Sequence, residues 1–178
     1  MSKYLEWAGR ARSTPQVVAI SLLAGIVVIV GVPLAIVNLA GWLDHVLGVP
    51  RLGFGPVNAV AGVVLFVAGG FIALWSVLAE AKVGTGTPLP MVPTQRLVVV
   101  PPYAYCRNPM ILGTVLAYLS IGAWLGSGSA VAIVLVIATL LLLYVKLFEE
   151  KELRIRFGPE YEAYRRATPL LLPRLRRT

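Results

Sequence analysis

The sequence predicts an all-α membrane protein of four transmembrane helices, with a long central loop and a helical C-terminal cap on one side of the bilayer. Three observations carry that expectation. The 178 residues are 58% hydrophobic and 13% charged, with a mean hydropathy of +0.81, and a soluble domain of this size needs more polar surface than that. No Asp, Glu, Lys or Arg occurs in residues 13–43, 52–79 or 108–145, and a bilayer-spanning helix takes roughly 20 apolar residues. The third run is too long for one span and carries Gly122, Gly126, Ser127, Gly128 and Ser129 near its middle, the composition of a tight hairpin between two helices.

Taken in order, the first helix is expected from about Pro15 to Leu39, with Pro33 bending its far end. Its apolar run is longer than the core of a cleavable signal peptide, and Pro33 and Asn38 interrupt any small-residue cleavage pattern. A short connection then holds Trp42, Asp44, His45 and Arg51, with Trp42 suited to an interfacial position. The second helix is expected from about Pro56 to Glu80, and Gly62, Gly69 and Gly70 offer a face for close helix packing. The third covers about Pro109 to Leu125. The fourth covers about Ser129 to Phe148 and continues as a charged amphipathic extension to about Phe157.

Orientation follows from the basic residues of the short loops. The N-terminal segment carries Lys3, Arg10 and Arg12, the central loop carries Lys82, Arg96 and Arg107, and the tail from Lys146 holds nine basic residues against five acidic ones. Only Arg51 lies in the first loop, and the hairpin turn is uncharged. Both termini and the central loop are therefore expected in the cytoplasm, in a multi-pass protein. The net charge of +8 flanks hydrophobic spans, which points to anionic lipid headgroups as partners rather than nucleic acid. The single cysteine, Cys106, excludes an internal disulfide and a cysteine-based metal cluster, and no metal site is expected. The chain divides into residues 1–80, with two spans, and residues 81–178, with the loop, the hairpin and the cap.

The central loop is long for a connection, and such loops are usually functional or disordered. The run Leu97-Val98-Val99-Val100 and the aromatics Tyr103 and Tyr105 are not a disordered composition. Three polar clusters fall on the same side. Gly84-Thr85-Gly86-Thr87-Pro88 is either a membrane-surface turn or a place where backbone N–H groups approach a ligand. Arg107-Asn108-Pro109 is either a positive-inside arginine with a helix start, Pro standing at its favoured first position, or a cation and an amide at a site mouth. Glu149-Glu150 stands where basic residues are the rule at such a boundary. Helix-surface pairing of Glu150 with Arg154 accounts for one of the two and leaves Glu149 without a need. Tyr161 and Tyr164 read equally as interfacial anchors or as ligand contacts. His45, the only histidine, lies toward the opposite face, and Cys106 reads as packing.

The order Gly-Thr-Gly-Thr-Pro, Leu97-Val98, Pro102-Tyr103, Arg107-Asn108-Pro109-Met110, then Glu149-Glu150-x-x-Leu153-x-x-x-Phe157-Gly158-x-x-Tyr161-x-x-Tyr164 resembles the isoprenylcysteine carboxyl methyltransferase and phospholipid methyltransferase superfamily. The likeness covers about Gly84 to Pro173. It implies a helical membrane enzyme that uses S-adenosylmethionine to methylate the polar end of a lipid or lipid-modified substrate, a phospholipid amine or a prenylcysteine-type carboxylate. It also implies a cytoplasmic cofactor-binding loop closed by the C-terminal cap. By that likeness Gly84, Thr85, Gly86, Tyr103, Arg107, Asn108, Pro109, Glu149 and Glu150 bind the cofactor, and Arg107, Asn108 and Glu150 take part in catalysis. Where the family commonly has Gly-Pro-Tyr this chain has Pro101-Pro102-Tyr103, and Asn108 stands where the family often has histidine. Asparagine cannot act as an acid or base near neutral pH, so that position supplies no proton acceptor. Two other classes fit less well. A four-helix transporter would carry an ionisable residue within a span, and the charge-free runs hold none. A membrane reductase would need an arginine cluster for a nicotinamide phosphate, which the sequence lacks.

Overall fold

The computed structural model describes residues 14–84 and 96–173, and no strand occurs among them. The helices are α1 (Thr14–Ile26), α2 (Val32–Leu47), α3 (Pro56–Ala79), α4 (Pro109–Leu125), α5 (Gly128–Tyr144) and α6 (Glu150–Ala167). Three single π-turns, Val27–Gly31, Glu80–Gly84 and Val145–Glu149, continue α1 into α2, extend α3, and join α5 to α6. Three of the resulting rods, Ala19–Leu47, Pro56–Gly84 and Gly128–Ala167, are long and apolar enough to cross a membrane. At 17 residues, α4 stands at the short end of spanning lengths.

The first rod runs further than its sequence suggests. Proline has no N–H to give the preceding turn, and its ring presses on the carbonyl four residues back. The π-turn just before Pro33 widens the helix and absorbs that conflict, so the axis continues to Leu47 rather than ending near Leu39. In the widened turn the Val32 N–H donates to Val27 O, which releases the carbonyl of Val28. The Tyr118 hydroxyl, from α4, donates to it at 2.7 Å. Trp42, Asp44 and His45 are thus helical, not part of a connection. The helix ends at Gly48, whose φ of 61° closes a left-handed C-terminal turn. Asp44 is tolerated because it is buried and accepts from the Ser127 hydroxyl at 2.7 Å, while Ser127 caps α5 by accepting from Ala130 N.

The most extensive helix contact is between antiparallel α3 and α4, and it is made by backbones. A Cβ at Gly69 would lie 2.5 Å from Gly113 O and Ala117 N, and one at Gly113 would lie 2.5 Å from Ala73 N. Gly62 makes room for the Trp124 side chain, with the Ser120 carbonyl beside it. Gly70 faces open space, so the expected small-residue face consists of Gly62 and Gly69 without it. At the Gly62 end the pair is laced by Asn58, which donates to Leu52 O at 2.9 Å and Ala123 O at 3.0 Å. An apolar crevice of about 310 Å³ between Val37, Phe66, Trp124 and their neighbours lies in that half of the bundle.

The C-terminal cap is longer than the expected extension to Phe157. Gly158 breaks the helix with φ 50° and ψ −125°, and Pro159 restarts it, so the chain turns and stays helical to Ala167. Glycine alone adopts such backbone angles cheaply, and proline suits the first turn of the restarted helix. The reversal folds Tyr161, Tyr164 and residues 168–170 back toward the start of α4.

Because α3 and α4 touch through backbone, a side chain at Gly69 or Gly113 must separate them. Gly69→Leu and Gly113→Leu are expected to lower stability by at least the ~1–3 kcal/mol typical of overpacking. Gly70→Ala is expected to leave it unchanged or slightly raised. Thermal unfolding of the three detergent-solubilised variants checks this, and equal losses at all three positions would contradict the backbone contact.

Candidate functional site

The site lies where three chain segments converge beyond the charge-free stretches: the π-turn after α3, the residues leading into α4, and the π-turn between α5 and α6. The loop before α4 is pinned at each end of Tyr103. Its hydroxyl donates to Glu80 Oε1 at 2.5 Å, and its carbonyl accepts from the Tyr164 hydroxyl at 2.8 Å. The ring is buried in a small apolar cluster with Ala79 and Val98, against Val83. Gly84 is buried at the end of the first of these turns. Thr85 and Gly86, expected to bind cofactor, lie outside the described residues.

Arg107 and Asn108 hold the tail. Arg107 N donates to Pro169 O at 2.9 Å and its Nε to Thr168 O at 3.1 Å. Asn108 donates to Leu170 O from both its backbone N and its Nδ2, each at 3.1 Å. The Asn108 side chain therefore does not cap α4, although it stands at the N-cap position with Pro109 as the first helical residue. Peptide carbonyls packed beyond the end of a helix require donors, and these two residues supply them from backbone and side chain alike.

The two glutamates at the head of α6 have opposite surroundings. Glu150 is 6% exposed and sits among three guanidinium groups. Arg107 Nη1 is 2.6 Å from its Oε1, and Arg154 and Arg165 each reach its Oε2 at 3.6 Å. Arg107 Nη1 also donates to the Tyr161 hydroxyl at 3.2 Å, and Arg154 and Arg165 extend the network to Glu162. The pairing of Glu150 with Arg154 read from the sequence is present, as one of three. Glu149 makes no ion pair among the described residues. Burial, reinforced by the charges of Glu80, Glu152 and Glu150, pushes its carboxyl up to about 7. Glu80 Oε2 is buried without a partner among the described residues. Burial holds the Tyr103 and Tyr164 phenols and the Cys106 thiol above their ordinary ranges, so these groups stay neutral and are poor bases.

The structure brings Gly84, Tyr103, Arg107, Asn108, Pro109, Glu149 and Glu150 to this one end of the bundle. It also settles two tyrosines that the sequence leaves open and adds one acid that the sequence does not single out. Tyr161, 2% exposed, and Tyr164 are internal struts rather than interfacial anchors. Glu80 reads in the sequence only as a helix boundary, yet it carries the same signal as Glu149-Glu150: an acid where an apolar stretch meets its flank. His45 is exposed on the last turn of α2, at the other end of the molecule.

The phospholipid methyltransferase family model matches residues 57–160, more than half of the chain and all three converging segments. The chain belongs to the phospholipid methyltransferase family. The protein is thus a membrane methyltransferase acting on lipid-type substrates, and the site sits within the matched residues apart from the cap residues from Tyr161 onward. No curated protein and no solved structure shows a significant match to the chain.

Two outcomes are expected from the opposed glutamates. Glu150→Gln leaves three arginines short of their shared carboxylate. Breaking a buried pair costs on the order of 3–5 kcal/mol, so this variant is expected to loosen the cap, visible as faster proteolysis or hydrogen exchange beyond residue 150. Glu149 has the reverse sign. Its folded-state value near 7 stands above its ordinary 4.5, so the folded state holds the proton more tightly than the unfolded chain. The resulting stabilisation is full below about 4.5 and is lost as pH rises through about 7. Across that window the melting temperature of wild type, relative to Glu149→Gln, is expected to fall as pH rises; a parallel pair of curves would refute the assignment.

Proposed function

We propose that this methyltransferase uses S-adenosylmethionine to methylate an amine at the polar end of a membrane lipid, in a four-span, multi-pass protein whose site and termini face the cytoplasm. The observation that carries the reading is the pair Glu80 and Glu149, two carboxylates at one site with no cation on either among the described residues. Such a place attracts positive charge. It suits a cofactor that is cationic at sulfur and at its ammonium, and an acceptor that arrives as an ammonium. A prenylcysteine-type carboxylate would meet like charge there, and Arg107, the candidate to orient it, already has its Nε and Nη1 on Thr168, Glu150 and Tyr161.

In this reading Gly84, Thr85 and Gly86 take part in binding the cofactor, with Tyr103 and the Asn108-Pro109 mouth of α4. Bound there, S-adenosylmethionine supplies an activated methyl group. Arg107, Asn108 and Glu150 act by holding the cap and residues 168–170 over the site, which orients the reactants and excludes water. The lipid enters laterally, its chains remaining in the bilayer while the headgroup reaches the loop. The position of basic residues supports the orientation, including Lys82, Lys146 and Lys151 close to the site.

Purified protein is expected to bind S-adenosylmethionine and its demethylated product with micromolar affinity, roughly 8 kcal/mol. Incubated with labelled cofactor and vesicles of phosphatidylethanolamine, it is expected to label the amine. Absence of calorimetric binding by folded protein, or label found only on carboxylate-bearing lipids, would overturn the respective half of the reading.

A further inference from the structure

Methylating an amine requires a destination for a proton. An ammonium has no lone pair to attack with, so one proton must leave before the nitrogen–carbon bond forms. Few groups at this end of the molecule can take it. Asn108 has no titratable proton. Glu150 is committed to Arg107, Arg154 and Arg165, which engage both of its oxygens. Tyr103, Tyr164 and Cys106 are neutral and buried or half-buried. His45 stands at the far end of α2, beyond the whole length of α3, whose 24 residues span about 36 Å. Glu152 is paired with Arg156, and Glu162 with Arg154 and Arg165. Of the acids shown acting on this site, that leaves Glu80 and Glu149.

Resting on the amine reading above, we infer that Glu149 is the proton acceptor of the reaction and that Glu80 is the positioning residue that tunes it. Their geometry divides the roles. Glu80 is fixed: its Oε1 is tied to the buried Tyr103 hydroxyl and its Oε2 is enclosed by protein. Glu149 is half-buried and has no hydrogen bond or ion pair among the described residues, so it is the member of the pair that a headgroup can reach. Each carboxylate lies in a π-turn that follows a long apolar helix, a local distortion found frequently at functional sites.

The groups that face Glu149 are Glu80 from the turn after α3, Tyr103 from the central loop, and Glu150, Glu152 and Tyr161 from α6. None of them is a cation, so the surroundings favour the protonated form, and a carboxyl poised near neutrality is an effective base. The step balances without a further reactant. The acceptor ammonium gives a proton to the Glu149 carboxylate. The freed nitrogen pair forms a bond to the methyl carbon while the carbon–sulfur bond breaks and its electrons remain on sulfur. The product is a methylated ammonium and a neutral thioether, and Glu149 returns its proton to water.

The test uses full-length wild type, Glu149→Gln, Glu149→Asp and Glu80→Gln in detergent or phosphatidylethanolamine vesicles. Affinity for the demethylated cofactor is measured first, and a wild type that does not bind refutes the functional reading itself rather than this inference. The carboxyl infrared band of the cofactor-free protein is then titrated with pH. A Glu149-dependent midpoint near neutrality that falls in Glu80→Gln supports the coupling, because removing a like charge favours ionisation. A midpoint at the ordinary carboxylate value in wild type overturns it. With binding intact, Glu149→Gln is expected to lower the saturated rate by roughly 10²–10⁴-fold, the usual contribution of a positioned base, with partial recovery in Glu149→Asp. Glu80→Gln is expected to move the acid limb of the pH–rate profile to lower pH. A Glu149→Gln enzyme with wild-type rate and an unchanged profile excludes Glu149 as the acceptor.

Discussion

The close approach of Gly69 and Gly113 is the contact on which the rest of the arrangement depends. It brings two antiparallel helices together at backbone distance, and it fixes their register as well as their separation. Eleven residues beyond Gly69 the chain reaches Glu80, and six residues before Gly113 stands Arg107. Because the helices run in opposite directions, these positions arrive at the same end of the bundle, although 26 residues separate them along the chain. Tyr103 then closes the gap by taking Glu80 through its hydroxyl and Tyr164 through its carbonyl. Lipid tails give little hydrophobic reason for helices to associate, so shape and backbone contact do what apolar burial does in water.

A second division organises the charges. Adjacent residues on one chain, Glu149 and Glu150, receive opposite treatment. Three arginines saturate Glu150, and that network welds α6 to the loop and the loop to residues 168–170. Glu149 and Glu80 are left outside it. The cap therefore serves as a mechanical element whose rigidity is ionic, while the neighbouring acids remain electrostatically unsatisfied. Isolating them in this way concentrates negative potential at one place in a strongly basic protein.

The gross design is legible in the sequence because hydropathy and charge placement respond directly to the bilayer. The bounds of α4, the hairpin turn at Gly126 and Ser127, and the Gly62–Gly69 packing face arise from residues whose physical preferences are strong and local. The motif residues from Tyr103 to Pro109, with Glu149-Glu150, are legible through their order along the chain, and the structure brings them to one end. Other features depend on distant partners and are not visible in the sequence. Asp44 reads as a break until Ser127 is placed against it. Pro33 reads as a bend until the preceding turn widens. Tyr161 and Tyr164 read equally as interfacial anchors or ligand contacts because nothing local announces the reversal at Gly158 that carries them inward. Glu80 escapes for a different reason: a lone acid at the end of a span reads as punctuation.

The π-turns give the site an unusual grammar. A π-turn amounts to one residue inserted into an α-helix, and an α-helix advances 3.6 residues per turn. Adding or removing that single residue changes the rotational phase of everything after it by roughly 100°, while changing the helix length by only about 1.5 Å. A bilayer scarcely registers the second change, but a binding site is destroyed or created by the first. The turns at Glu80–Gly84 and Val145–Glu149 are thus frame settings for the helices that carry them. Within one unchanged set of spans, a lineage can redirect which side chains meet at the membrane surface by single-codon insertion or deletion, without any exchange of residues.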